Sequence, residues 1–273
     1  MSTFIRYGKM NILIIAPHQD DEILSSCLLI QSRLRAGDEI FIAFATNGDR
    51  HGLDMGMRRY QESVCASQLL HIKADHIFYL GYGDTGMRFD HSFLYRLFYS
   101  EKHTLISSAV SSKTYHPAGK QTLHHICTGQ ETAYCHSSFL NDLNCLLDVC
   151  RAELVILPSG LDWHGDHRAC FLFMDELRHM RKSFPPMLTY LIHAGDDMLW
   201  PNRNAKEFSR PSNVVPELWT HRVNIRSSKS DQQMKQTCIQ CFQSQEPLAQ
   251  NHFLMSFAKR EEIFFPFLQI SQP

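Results

Sequence analysis

The chain has 273 residues, 44% of them hydrophobic, enough to bury a large core as one domain. Its 27 Lys and Arg stand against 28 Asp and Glu for a formal charge of -1, so no overall field draws it to nucleic acid or to an anionic membrane. No apolar run reaches the roughly 18–20 residues of a membrane span. The stretch 1–10 is too short and polar for a secretory signal, which points to a cytoplasmic protein.

The first apolar run, Asn11-Ile12-Leu13-Ile14-Ile15-Ala16, reads as a buried parallel strand. It ends in Pro17-His18-Gln19-Asp20-Asp21-Glu22, one imidazole and three carboxylates in sequence. A helix over 22–35, a strand over 38–45, a helix over 57–71 and a strand over 76–80 follow, the alternation of a parallel sheet. From Gly81 periodicity is lost until about residue 136, too long a stretch for a passive connection. It reads as a partly helical insertion, 81–136, forming a lid over the strand ends. A helix over 137–151 then leads into the apolar run Leu154-Val155-Ile156-Leu157-Pro158, and Leu161-Asp162-Trp163-His164-Gly165-Asp166-His167 follows it. Beyond come a helix over 166–182, a strand over 187–194, a Pro- and Asn-rich loop over 196–217, a strand over 219–225 and a helix over 228–244. A final segment ends in Glu261-Glu262-Ile263-Phe264-Phe265. The expected architecture is α/β: one domain over 1–273, a Rossmann-like doubly wound, mostly parallel sheet with an inserted lid and a C-terminal strand and helix extension.

The nine cysteines are odd in number and scattered through periodic segments, which suits reduced thiols. Cys238-Ile239-Gln240-Cys241 has the CxxC spacing, but it lies in a helical pattern with no second pair at metal spacing and reads as two helix-face thiols.

Each charged cluster has an ordinary reading by itself: an Asp-Asp pair after a strand is commonly a cap plus a first-turn charge, and His-x-x-His a surface helix feature. Two such clusters at strand carboxyl ends, where open parallel sheets bind ligands, are better explained as halves of one site. Imidazole and carboxylate suit a borderline divalent ion, and three protein ligands with an open position mark a catalytic zinc. His18, Asp21 and His167 fill those places, the first two being close enough across a strand-to-helix turn to reach one ion. Asp20 is then free to act as general base on a water whose pKa the ion lowers. His164 faces the substrate, with Asp166 orienting it, and Glu22 only begins the helix.

Substrate contacts are less sharply defined. Arg59 is either a surface cation paired with Glu62 or a sugar-binding or site-ordering group. Asn47, Asp49 and Asp84 follow strands, where turn formation competes with hydroxyl recognition; recognition is favoured for Asn47 and Asp84. Trp163 offers a stacking face for a sugar ring or a wall for its loop. The imidazoles of 111–136 (His116, His124, His125, His136) fit no simple metal motif and are read as a polar lid.

Pro17-His18-Gln19-Asp20-Asp21-Glu22 together with His164-Gly165-Asp166-His167 resembles the LmbE-like (PIG-L) family of zinc-dependent deacetylases. Thr46-Asn47-Gly48-Asp49, Arg59-Tyr60-Gln61-Glu62, Leu80-Gly81-Tyr82-Gly83-Asp84-Thr85-Gly86, Lys235, Ser244-Gln245 and Phe257-Ala258-Lys259-Arg260-Glu261-Glu262 are similar to the family's other motifs. The resemblance implies one zinc ion per chain, other divalent metals being compatible, with ligands His18, Asp21 and His167, base Asp20, and His164 with Asp166 on the acid side. It also implies hydrolysis of the acetamide of an N-acetylglucosamine-containing small molecule or glycoconjugate. The proton for the leaving amine comes from Asp20 or His164. Gln19 and Gly165 stand where proline is frequent in the family, which suggests a subgroup, so the substrates of the better-known members do not carry over directly. An assembly of identical chains is compatible with the sequence. A catalytically silent sugar- or nucleotide-binding protein of the same fold is the alternative, although the first turn lacks the Gly-x-Gly-x-x-Gly that cradles phosphate.

Overall fold

The structure, a computed structural model, describes residues 9–195, 200–245 and 252–267; the expected polar start 1–8 and residues 196–199 of the expected loop lie outside them. Seven strands, β1 (Asn11–Ala16), β2 (Glu39–Thr46), β3 (Ile77–Tyr82), β4 (Leu154–Pro158), β5 (Met187–Tyr190), β6 (Val223–Arg226) and β7 (Glu261–Pro266), form one sheet in the order β3-β2-β1-β4-β5-β7-β6. The first five are parallel, whereas β7 runs antiparallel to both β5 and β6.

β1 is central, pairing with β2 on one side and with β4 on the other, Ile12 opposite Leu154 and Ile14 opposite Ile156. The chain winds outward from β1 through β2 to β3, then returns to the other side at β4, so the β1–β4 seam is the point where strand order reverses. Side chains alternate between two cores, as a period of two requires. Ile12, Ile14, Ile156 and Phe44 enter one, while Leu13, Ile15, Val155 and Leu157 enter the other. Burial on both faces is why these strands read as continuous apolar runs rather than alternating ones.

Helices α1 (Asp21–Arg35), α2 (Leu53–Leu69) and α8 (Lys229–Ile239) cover the first core. The second lies under α3 (Phe93–Phe98), α5 (His136–Cys150) and α6 (Gly165–Met180). The span 81–136 holds only two short helices, α3 and α4 (Leu123–Thr128). It is tied to the end of β3, where the Gly81 carbonyl accepts from the Tyr134 hydroxyl and the Tyr115 amide. Among the described residues no helix is long and apolar enough to cross a membrane.

Three expectations change. The strand expected over 219–225 is half helix: Pro216, with its preset φ, opens α7 (Pro216–Thr220), and only Val223–Arg226 pairs with β7. The strand expected to reach residue 194 ends at Tyr190, because beyond it the amides of Ile192 and His193 turn aside to the Asp162 carboxylate. The cysteines are not all free: Cys127 and Cys145 form a disulfide. α4 lies along α5 so that residues 18 apart meet twice, His124 with Asp142 and Cys127 with Cys145. With a disulfide present, cysteine usage ceases to argue for a reducing compartment.

One long-range contact is unusual. The amides of Leu28 and Leu29 donate to the Glu262 carboxylate, and the Leu24 carbonyl accepts from Lys235 Nζ, so side chains of β7 and α8 grip the backbone of α1. Lys235 Nζ also lies 2.7 Å from Glu262, and both residues are buried.

Candidate metal centre

The turn after β1 is held by the Pro17 carbonyl, which accepts from the amide and hydroxyl of Thr46. Gln19 Nε2 donates to the Thr46 carbonyl, so the residue in a frequent proline position ties β1 to β2 through its side chain. Asp20 follows with φ 145°, a left-handed conformation that a residue with a Cβ adopts at a cost of about 1–3 kcal/mol. Its carbonyl accepts the amides of Ile23 and Leu24, and its amide donates to Glu22 Oε2, so α1 begins directly beneath its carboxylate.

Asp21 Oδ2 is the meeting point of the two clusters. It stands 3.3 Å from His18 Nδ1 and 3.2 Å from His167 Nε2. Ligands on a tetrahedral ion with bonds of about 2.0–2.1 Å are separated by about 3.3–3.4 Å. His167 Nε2 is buried and has no hydrogen-bond partner, while its Nδ1 meets Asp162 Oδ2 at 3.1 Å. A ligating histidine that gives its other nitrogen to a carboxylate has this arrangement. The structure thus places Asp21 beside both His18 and His167, while the groupings whose donor atoms all lie within 4.8 Å of one another are His18 with His164 and His167, Asp162 with His167 and His193, and His18 with Asp84 and Asp166.

The second cluster differs from expectation. His164 caps α6, and its Nδ1 accepts the Asp166 amide. The Asp166 carboxylate lies 4.0 Å from His164 Nδ1 and is engaged elsewhere: by the Ser92 hydroxyl, the Leu94 amide and His18 Nε2. The Asp166 carboxylate therefore positions His18 and anchors the 81–136 span, and Asp166 holds His164 through its backbone amide instead. Gly165 belongs to the same junction, since its amide donates to the Met87 carbonyl and a Cβ would run into Ser92. Neither contact is open to the proline frequent at this position.

The carboxylate that organises the imidazoles is Asp162. Completely buried, it accepts from His167 Nδ1, His193 Nδ1 and the amides of His164, Ile192 and His193. His193 consequently presents its other nitrogen on the cavity side. Asp162 and His193 were not singled out from sequence, although both signals were there: an Asp five residues before His167, and an imidazole near the end of the strand expected over 187–194.

Electrostatics separates the groups. Burial pushes Asp20 up to about 7, opposed by the Arg59 guanidinium. Burial opposes charge on His18, but the Asp166 and Asp21 carboxylates outweigh it and raise the ring to about 9. Burial, with His18 and His167 adding positive potential, holds His164 well below its ordinary value. Glu22, wholly buried and next to Asp20, is pushed well above the usual carboxylate range.

The remaining expected site residues are placed as follows. Arg59 Nη2 lies 3.2 Å from Asp20 Oδ1 and 2.9 Å from the Gln19 carbonyl, so this guanidinium orders the site; Glu62 is held instead by Ser244 and Arg58. Asp84 borders the cavity and accepts the Gly86 amide. Asn47 is fully buried behind it, donating to the carbonyls of Gly81 and Tyr115, and does not line the cavity. Trp163, 44% exposed, forms the rim against Gly195, where a Cβ would crowd its indole. The cavity itself measures about 710 Å³. His18, Asp20, Asp21, His164 and His193 lie at its polar end, and Met55, Trp200 and Phe253 are among its apolar walls.

The histidines of 111–136 are dispersed. His116 is wedged between Tyr60 and Tyr79, His124 meets Asp142, His125 meets Glu131, and His136 meets Glu176. Among the described residues, the groupings that could hold an ion all lie around His18, His167 and their neighbours.

A family model described as GlcNAc-PI de-N-acetylase (PIG-L) matches residues 13–177, which include both clusters. No curated protein sequence matches the chain. In fold it is similar to the A40926 pseudoaglycone deacetylase Dbv21, with TM-score 0.59 and 13% identity over 95% of this chain and 97% of that one. The zinc-inhibited form of the teicoplanin deacetylase Orf2 gives TM-score 0.56 and 14% identity over 93% and 97%. GalB, the 4-carboxy-2-hydroxymuconate hydratase of Pseudomonas putida KT2440, gives 0.54 and 12% over 97% and 99%. At such identities the likeness is one of fold, and it extends to a hydratase.

Proposed function

The chain belongs to the GlcNAc-PI de-N-acetylase (PIG-L) family, and we propose that within this deacetylase family it is a zinc-dependent hydrolase that frees the amine of an N-acetylglucosamine-containing small molecule or glycoconjugate. The observation that carries this reading is the Asp21 oxygen facing His18 Nδ1 and His167 Nε2 at 3.3 and 3.2 Å, with Asp20 beside it on the cavity wall.

Zinc bound there would act as a Lewis acid on the acetamide carbonyl and lower the pKa of water. Asp20, at about 7 and aimed by Arg59, is suited to take a proton from the attacking water near neutral pH. The new bond joins that oxygen to the carbonyl carbon, and the carbonyl oxygen gains negative charge. His164 is kept neutral, and because its Nδ1 accepts the Asp166 amide its proton resides on Nε2. It therefore donates to the developing oxyanion as a neutral imidazole rather than as a cation. When the carbon–nitrogen bond breaks, the proton held by Asp20 passes to the amine, and acetate leaves. Asp84 and the Trp163 rim are the expected sugar contacts, whereas Asn47 acts only by holding the loops behind them. Neighbours of the same fold are named as a pseudoaglycone deacetylase and a teicoplanin deacetylase, which supports deacetylation as the reaction.

The test is acetate release from a panel of N-acetylglucosaminides by the zinc-loaded protein. Asp20→Asn is expected to lower kcat about 10²–10⁴-fold with bound zinc retained. No release from any acetylated amino sugar, or full activity in Asp20→Asn, would sink the reading.

A further inference from the structure

The CxxC of the sequence turns out to be two separate meetings. Cys238, buried in α8, faces Cys27 of α1. Cys241, just beyond the end of α8 and half-buried, has its Sγ 2.7 Å from the Sγ of Cys65 on α2. Ordinary non-bonded contact is roughly 3.5–4 Å and a disulfide closes to about 2.05 Å, so this pair already stands inside contact distance. Among the described residues the cysteine sulfurs do not converge in threes, which sets a thiolate metal site aside. Cys65 is exposed, so a small oxidant reaches it from solvent.

We propose that Cys65 and Cys241 are a reversible disulfide site, oxidised by exchange with a small disulfide of the glutathione type. The Cys65 thiolate attacks one sulfur of oxidised glutathione, forming a mixed disulfide and expelling one glutathione thiolate. Cys241, deprotonated, then attacks the Cys65 sulfur, closing the protein disulfide and expelling the second glutathione. Two protein protons are released, and the two electrons given up by the protein thiols reduce the glutathione disulfide. Burial and the neighbouring Cys65 push the Cys241 thiol up to about 12, which makes the exposed Cys65 the first attacker. The contribution of Cys65 to that push ends once it carries glutathione.

The position of the bond gives it a structural consequence. Glu62, one turn before Cys65 on α2, accepts the amide and hydroxyl of Ser244 at 2.7 and 2.6 Å. Arg59 on the same helix pairs with Asp20, and Gln245 next to Ser244 borders the cavity. The disulfide therefore staples the helix carrying Arg59 to the segment carrying Gln245, across a junction now held by non-covalent bonds.

The experiment uses the full chain, reduced with dithiothreitol, exposed under native conditions to oxidised glutathione, alkylated and mapped by peptide mass. The expected result is joint loss of Cys65 and Cys241 from alkylation, a linked peptide lighter by two hydrogens, and no lasting glutathione adduct. In Cys241→Ser the adduct should accumulate on Cys65, and in Cys65→Ser none should form at Cys241. Full alkylation of both thiols after exposure, or a persistent adduct on Cys65 of the parent chain, overturns the proposal.

Discussion

Replacing Asp162 by Asn removes one charge and one acceptor from the most heavily used carboxylate of the site. Oδ1 accepts from the His164 amide at 2.8 Å and His193 Nδ1 at 3.1 Å. Oδ2 accepts from His167 Nδ1 at 3.1 Å and from the amides of Ile192 and His193 at 3.0 and 3.2 Å. The less costly orientation of the new amide keeps its oxygen at the Oδ2 position and turns its NH2 toward the His164 amide and His193. His193 can shift its proton to the other nitrogen, but a backbone amide cannot, so one or two buried donors are orphaned. At about 1–3 kcal/mol for each, the variant should lose about 1–6 kcal/mol, a Tm lower by roughly 2–24 °C at about 2–4 °C per kcal/mol. His167 also exchanges a carboxylate for a weaker amide partner, so zinc should bind about 10–100-fold less tightly. Calorimetry of the metal-free protein and a competitive zinc titration measure the two effects. A Tm within about a degree of the parent, together with unchanged zinc affinity, would refute the reasoning.

Other outcomes follow from the same geometry. Lys235→Met leaves the Glu262 carboxylate buried without its cation and should cost about 3–5 kcal/mol, read as a lower urea midpoint. Free zinc at about 1,000 times its Kd should stabilise the protein by about 4 kcal/mol, raising Tm by roughly 8–16 °C; a chelator should reverse the rise, and His167→Ala should show none. Burial lowers His116 from 6.5 to about 4. The unfolded imidazole takes up a proton that the folded one refuses, so this stability is whole above pH 6.5 and lost as pH falls toward 4. His116→Phe should flatten the fall in urea midpoint across that window, and an unchanged slope would count against it.

The central half of the fold was legible because β1, β2 and β4 are buried on both faces, and continuous apolar runs survive any local detail. The antiparallel edge was not. Leu218 and Trp219 have the composition of a strand, but Pro216 at the first helical position decides the local conformation. At the site, the approach of Asp21 to His18 and His167 was legible from spacing, because a strand end and a first helical turn place side chains reproducibly. Partnership among the second-rank groups did not. Whether Asp166 serves His164 or His18 depends on Ser92 and Leu94, which arrive from a segment without periodicity. The cysteines show the same limit, since composition counts thiols but only the packing of α4 on α5 and of α8 on α2 chooses their neighbours.

The Glu262 contact with α1 has a consequence for the order of synthesis. Leu28 and Leu29 are joined to a carboxylate 234 and 233 residues further on. The helix that starts under Asp20 is among the first to leave the ribosome, yet two of its amides and one of its carbonyls find their native partners only when β7 and α8 have been made. Until then the helix that follows the metal-site turn lacks the side chains that grip its backbone. The helix made earliest at the centre is thus one whose contacts are completed late in synthesis.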